Sequence, residues 1–167
     1  MTGDVIVRDA GEDDLPAILE IYNAAVLNET SIWTDDISDL AERRTWWEAR
    51  TAEGFPVYVA EVNGAICGYG TFGEFRPHQG YRFTVEHSIY VNSSVQRRGV
   101  GSVLLTRLIA EARRTNKHAM IGGIASDNLA SLALHQRFGF VETGRMPQVG
   151  FKFGRWLDLV FVQKLLT

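Results

Sequence analysis

The sequence predicts a single mixed α/β domain, one sheet covered by helices on both faces. Strand-like and helix-like segments alternate in the order β-α-α-β-β-β-α-β-α-β-β, which neither an all-helical nor an all-strand fold accommodates. The 167 residues are one domain's length, and 46% hydrophobic residues are enough to fill its core. No linker, repeat or low-complexity stretch divides the chain, so residues 1–167 read as one unit.

Each element has its own signal. Val5-Ile6-Val7-Arg8 reads as the first strand. Asp13-Asp14-Leu15-Pro16 carries the acidic residues and early proline of a helix start, and Ile18, Ile21, Tyr22, Ala25 and Val26 follow at helical spacing. Thr30-Ser31-Ile32-Trp33 is a loop before a second helix over residues 40–52. Residues 56–62 and 65–75 flank Asn63-Gly64, the signature of a tight hairpin. Residues 81–91 form a further strand and residues 100–114 an amphipathic helix. A strand over residues 119–124 precedes a short helix over 128–138, with Asn128 placed to cap it and Gly139 to end it. Residues 140–149 and 155–165 close the chain as strands.

Composition narrows the function classes. A formal charge of −3 without a broad basic face disfavours a nucleic-acid partner. A lone cysteine, Cys67, cannot form an intramolecular disulfide and reads as a small core hydrophobe. No His or Cys pairs stand at ligand spacing, so no metal is expected, and no segment has the length of a membrane span. A cytoplasmic enzyme or binding domain is the expectation.

The most informative segment is Gln96-Arg97-Arg98-Gly99-Val100-Gly101-Ser102, between an apolar strand and a helix start. The first amides of a helix lack intrahelical acceptors, and the helix dipole favours an anion there. Gly99 and Gly101 let backbone approach a ligand, while Arg97 and Arg98 add positive charge and bidentate donors. The expected guest is a pyrophosphate; the alternative is a glycine-softened helix start with solvated arginines. Its spacing is neither that of a P-loop nor that of a dinucleotide fingerprint.

Two further constellations carry chemistry. Asn128, Ser131 and His135 recur at intervals of three and four and so share one helix face. In Thr84-Val85-Glu86-His87-Ser88-Ile89-Tyr90-Val91, alternation puts Glu86, Ser88 and Tyr90 on one face and Val85, His87, Ile89 and Val91 on the other. A carboxylate within an apolar strand is either an edge residue facing water or a base whose pKa burial raises into the useful range.

The pattern Gln-x-x-Gly-x-Gly at residues 96–101 resembles the acetyl-CoA loop of the GCN5-related N-acetyltransferases, and the element order resembles their fold over nearly the whole chain. That resemblance implies a central mixed, mostly antiparallel sheet flanked by helices. Residues 128–140 resemble the family's second coenzyme motif, with His135 standing where the family carries a tyrosine that protonates the departing thiolate. Phe72-Gly73 to Pro77, Tyr81 to Val91 and the run Met146-Pro147-Gln148-Val149-Gly150-Phe151-Lys152-Phe153-Gly154-Arg155-Trp156-Leu157-Asp158 resemble one branch, the phosphinothricin and methionine sulfoximine N-acetyltransferases.

The resemblance implies acetyl-CoA as co-substrate, no metal, a homodimer, and acetyl transfer to the α-amino group of small amino-acid analogues by direct attack in a ternary complex. Arg97, Arg98, Gly99, Val100, Gly101 and Ser102 would hold the pyrophosphate, Ser88, Ile89 and Tyr90 the pantetheine, and Asn128 and Ser131 the same arm. Glu86 would act as base, and His135 or water would assist the thiolate. Trp33, Phe75, Arg76, Pro77, Val85, Glu86 and His87 would surround the acceptor, with Arg76 preferred over Arg82 for its carboxylate. Trp33 fits a pocket wall or the core equally. The rivals are another amine acceptor for the same enzyme, or an acyl-CoA sensor without turnover.

Overall fold

The computed structural model describes residues 3–96 and 98–167, so the part expected of Arg97 lies outside the described residues. The elements are β1 (Val5–Asp9), α1 (Leu15–Asn28), α2 (Leu40–Ala52), β2 (Val57–Val62), β3 (Ala65–Glu74), β4 (Thr84–Val91), α3 (Val100–Arg114), β5 (Ala119–Ala125), α4 (Leu129–Arg137), β6 (Val141–Lys152) and β7 (Arg155–Leu165). The seven strands form one sheet in the order β1-β2-β3-β4-β5-β7-β6. Every neighbouring pair is antiparallel except β4 and β5. The expected mixed, mostly antiparallel sheet is therefore present.

The hairpin signal acts as read, and the second helix has a cap that the sequence reading did not name. Asn63 and Gly64 both take positive φ, 53° and 80°, which the two-residue turn joining right-twisted strands requires. Asp39 accepts from the amide of Glu42 at 2.9 Å, and the Glu42 carboxylate accepts from the amide of Asp39 at 3.2 Å, a reciprocal cap that starts α2. On one face of the sheet, Val100, Leu104, Leu105 and Leu108 of α3 pack with Phe72 and Val85. On the other, Leu15, Ile18 and Ile21 of α1 pack with Val57, Val59 and Tyr69. Each such fully buried side chain contributes about 1.5–3 kcal/mol.

Two boundaries differ from the periodicity. β4 begins at Thr84 rather than residue 81, because residues 79–81 close a tight turn in which Tyr81 packs on Phe75 with ring centroids 5.8 Å apart. β6 runs on to Lys152 rather than stopping at residue 149. Its pairing with β7 skips from Met146 to Gly150, Gln148 takes φ 55°, and the Asp158 carboxylate accepts from the Gln148 amide at 2.8 Å. This bulge absorbs the extra residues and interrupts the alternation that marks a strand in sequence.

The parallel pair matters most for function. β4 and β5 pair only at Thr84 with Ala119, Val85 with Met120, and Glu86 with Ile121. Beyond that point β5 continues pairing with β7 on its other side, while β4 continues with β3. The sheet therefore opens into a wedge between residues 87–91 and 122–125. Where the ladder ends, the Ile121 carbonyl accepts from Nδ1 of His87 at 2.9 Å.

Candidate active site

The wedge is the floor of a cleft of about 620 Å³. Ser88, Ile89 and Tyr90 line one side and Gly122, Gly123 and Ala125 the other. The start of α3, from Gly99 to Ser102, closes one end, and Asn128, Ser131 and His135 of α4 close the roof. Among the described residues, the cofactor residues named from sequence thus converge on one cavity, except Arg98, which is exposed outside it.

The anion end is built from backbone. Gly99 caps α3 at φ 82° and ψ 3°, and its carbonyl accepts from the amide of Val103 at 3.1 Å. The amides of Val100, Gly101 and Ser102 precede the first residue that can bond inside the helix. Gly101 also serves packing: a Cβ there would stand 3.2 Å from Cδ2 of Leu134, so its bareness brings α4 close to α3. Asn128 caps α4, its side-chain oxygen accepting from the Ser131 amide at 3.2 Å. That leaves the NH2 of Asn128 for a ligand.

At the apex, His87 and His135 meet with their Nε2 atoms 2.7 Å apart. The ring of His87 fits because Gly122 lacks a Cβ, which would stand 2.9 Å from Cε1. Nδ1 of His135 lies 2.7 Å from the Ser131 carbonyl, as Nδ1 of His87 lies near that of Ile121. The Ile121 carbonyl only accepts, so Nδ1 of His87 carries hydrogen and Nε2 of that ring, neutral under burial, accepts; the bond between the rings is donated by Nε2 of His135, whose Nδ1 also lies 3.4 Å from the Ser131 hydroxyl. Burial pushes His87 down to about 3, the charge of His135 adds to this, and the Ile121 carbonyl opposes it. Burial also lowers His135, against the Ser131 carbonyl. The proton between the two rings therefore sits on His135.

Glu86 stands on the opposite face from His87, as alternation requires. It is half-buried; burial raises its pKa, and Arg76 opposes that rise. Gly73 of β3 pairs with Glu86, and its lack of a Cβ makes room for the Arg50 guanidinium, which lies over it. Tyr90, on the same face as Glu86, packs against Tyr69 with ring centroids 5.2 Å apart.

The acceptor residues named from sequence are less united. Arg76 and Pro77 are exposed, and Arg76 lies 4.3 Å over the ring of the half-buried Phe75. Arg82 is exposed over Phe83 and donates to the Gln79 carbonyl, away from the cleft. Val85, expected beside the acceptor, is fully buried against α3 on the face opposite Glu86. His87 is buried on the coenzyme side rather than beside Glu86. Trp33 is half-buried over the β6–β7 hairpin, its Nε1 donating to the Thr30 carbonyl at 2.7 Å.

Sequence reasoning missed the pairing of His87 with His135, and the lip of the cleft formed by Glu29 and Ser31. Strand alternation did place His87 on the correct face. Nothing local marks Glu29 or Ser31.

A sheet that parts beside a helix start, with a carboxylate on one face and a histidine pair on the other, is the arrangement expected of an acyltransferase. Residues 17–140 match the model of the acetyltransferase (GNAT) family. The chain is 53% identical over 157 residues, 94% of its length and 92% of the relative's, to the L-methionine sulfoximine/L-methionine sulfone acetyltransferase of Salmonella typhimurium. It is 55% identical over 157 residues, 94% and 91% of the two chains, to the L-amino acid N-acyltransferase MnaT of Escherichia coli. A Salmonella typhimurium acetyltransferase structure with its cofactor acetyl-CoA superposes with a TM-score of 0.95 at 52% identity, over 98% of this chain and 94% of that one. The chain belongs to the GNAT family of acetyltransferases.

Proposed function

We propose that this enzyme moves the acetyl group of acetyl-CoA to the α-amino group of small amino-acid analogues, methionine sulfoximine and methionine sulfone foremost, with phosphinothricin as a further acceptor. The observation that carries the reading is the wedge between β4 and β5, which leaves one edge of β4 unpaired just where Glu86 is half-buried. An extended pantetheine arm can bond to such an edge as an added strand would.

Acetyl-CoA supplies the activated thioester. The amides of Val100, Gly101 and Ser102 hold its pyrophosphate, with Arg97 and Arg98 adding charge. An amide on the open edge of β4 polarises the thioester carbonyl; one such donor is worth about 3 kcal/mol in comparable sites. Glu86 takes the proton that an ammonium must lose before its nitrogen can attack, directly or through one water. As the new amide bond forms and the carbon–sulfur bond breaks, the leaving sulfur takes a proton from His135 or from water. Arg76 draws the acceptor's carboxylate toward Glu86, and the same cation restrains the Glu86 pKa.

The acceptor reading is tested by thiol release from acetyl-CoA with a panel of amines. Methionine sulfone and methionine sulfoximine are expected to turn over, and spermidine, an aminoglycoside and a short peptide are not. Turnover of the peptide or polyamine alone gives the acceptor role to another amine; no thiol release with any amine leaves only a sensor.

The same reading includes a homodimer working in the cytoplasm. Val149, Phe151, Phe153 and Trp156 are all at least half exposed at the β6–β7 hairpin, with the rings of Phe151 and Trp156 packed at 5.0 Å, and exposed apolar clusters mark interaction surfaces. A second copy of the chain is the occupant proposed for it. Sedimentation at micromolar concentration is expected to give twice the chain mass of 18.7 kDa; a monomer there removes the proposal.

A further inference from the structure

The loop between α1 and α2 borders the cleft through Glu29 and Ser31. It lies on the face of the sheet that carries Glu86, Ser88 and Tyr90, the side from which an amine must approach. Its own bonding is sparse. Trp33 donates to the Thr30 carbonyl, Ser31 Oγ to the Glu29 carboxylate at 2.9 Å, and Thr30 Oγ1 to the Asp127 carboxylate at 3.0 Å.

The firmer hold comes from β6. Nζ of Lys152 donates to the carbonyls of Glu29 at 2.5 Å and Ile32 at 2.6 Å, although 123 and 120 residues separate them in the chain. Lys152 is 1% exposed. Two residues earlier, Gly150 seats the indole of Trp33: a Cβ at residue 150 would stand 2.2 Å from its Cε3. Residues 150 and 152 share a strand face, so one face of β6 supplies both a seat and a strut.

A buried ammonium is a costly way to fill space, since an apolar side chain of similar volume usually serves packing as well or better. Burial lowers the Lys152 pKa, while Asp35 and Glu29 favour its charged form. What the ammonium does and a methyl cannot do is fix two backbone carbonyls at once. Those carbonyls bracket Ser31, the residue at the lip.

We propose that Lys152 is a positioning residue for the acceptor: by holding the carbonyls of Glu29 and Ile32 it sets the path of the 29–33 loop, and so the shape of the amine's entrance. The inference rests on the acetyl-transfer reading above. It adds that affinity for the acceptor depends on a lysine that touches neither acceptor nor coenzyme.

The test compares Lys152→Met, which keeps length and loses the donor, with Gly150→Ala, which keeps the lysine and unseats Trp33. Both are expected to raise the KM for methionine sulfone about tenfold and leave the KM for acetyl-CoA within twofold. A parallel rise of both KM values, or an unchanged acceptor KM, overturns the proposal in favour of a merely structural lysine. Should either variant fail to fold, hydrogen exchange on the intact enzyme decides the matter. Methionine sulfone is expected to slow exchange at residues 29–33, and no slowing rejects the proposal. If the wild type acetylates a different amine, the acceptor assignment fails, yet the same KM split measured with that amine still tests Lys152.

Discussion

Replacing Glu86 by glutamine lowers kcat on the order of 10²-fold near neutral pH and leaves the Kd for acetyl-CoA unchanged. General base assistance contributes about 10²–10⁴-fold in enzymes of this kind, and glutamine keeps the shape while losing the basicity. The pH dependence has a definite sign. Burial raises the Glu86 pKa, Arg76 moderates the rise, and only the ionised carboxylate can accept a proton. Wild-type activity therefore falls as pH drops through that raised value. The variant lacks this limb and depends on the small fraction of amine already unprotonated, which grows with pH. Its deficit is largest in the mildly acidic to neutral range and narrows toward the pKa of the amine itself. Equal rates and superimposable pH profiles would remove Glu86 as the base.

Gly99→Val is expected to raise the Kd for acetyl-CoA about ten- to a hundredfold in a calorimetric titration. A Cβ at residue 99 would meet nothing within 4 Å, so the effect is conformational and not a clash. The residue sits at φ 82°, where a β-branched side chain is strained by at least about 1–2 kcal/mol. The turn relieves that strain by moving, and the amides of Val100, Gly101 and Ser102 move with it. Gly99→Asn is the control, because asparagine tolerates the left-handed region and is expected to retain most of the affinity. If the valine variant binds as tightly as wild type, the helix start is not where the pyrophosphate rests.

The pair of predictions separates the two faces of the β4 wedge. In the proposed mechanism Glu86 serves the acceptor side and Gly99 the coenzyme side, so loss of rate and loss of affinity should part cleanly between them. An acyl-CoA sensor would show the second effect and have no rate for the first to lower.

The elements that sequence alone determined are those with local causes. Asn63-Gly64 makes a hairpin because both residues take positive φ, and Asp39 with Glu42 starts a helix because each satisfies the other's amide. Gly99 caps α3 because its left-handed conformation is a property of one residue and its two neighbours. Alternation along β4 likewise sorted Glu86 from His87 before any neighbour was known. The tertiary structure decided what depends on which strands become adjacent. β4 and β5 part after Glu86, His87 meets His135 across 48 residues, and Lys152 reaches back to the 29–33 loop. Periodicity carries no information about such contacts: hydrogen bonds and burial between distant segments are set by sheet order and register. A buried lysine reads in sequence as an ordinary surface charge, and nothing in the sequence joins His87 to His135.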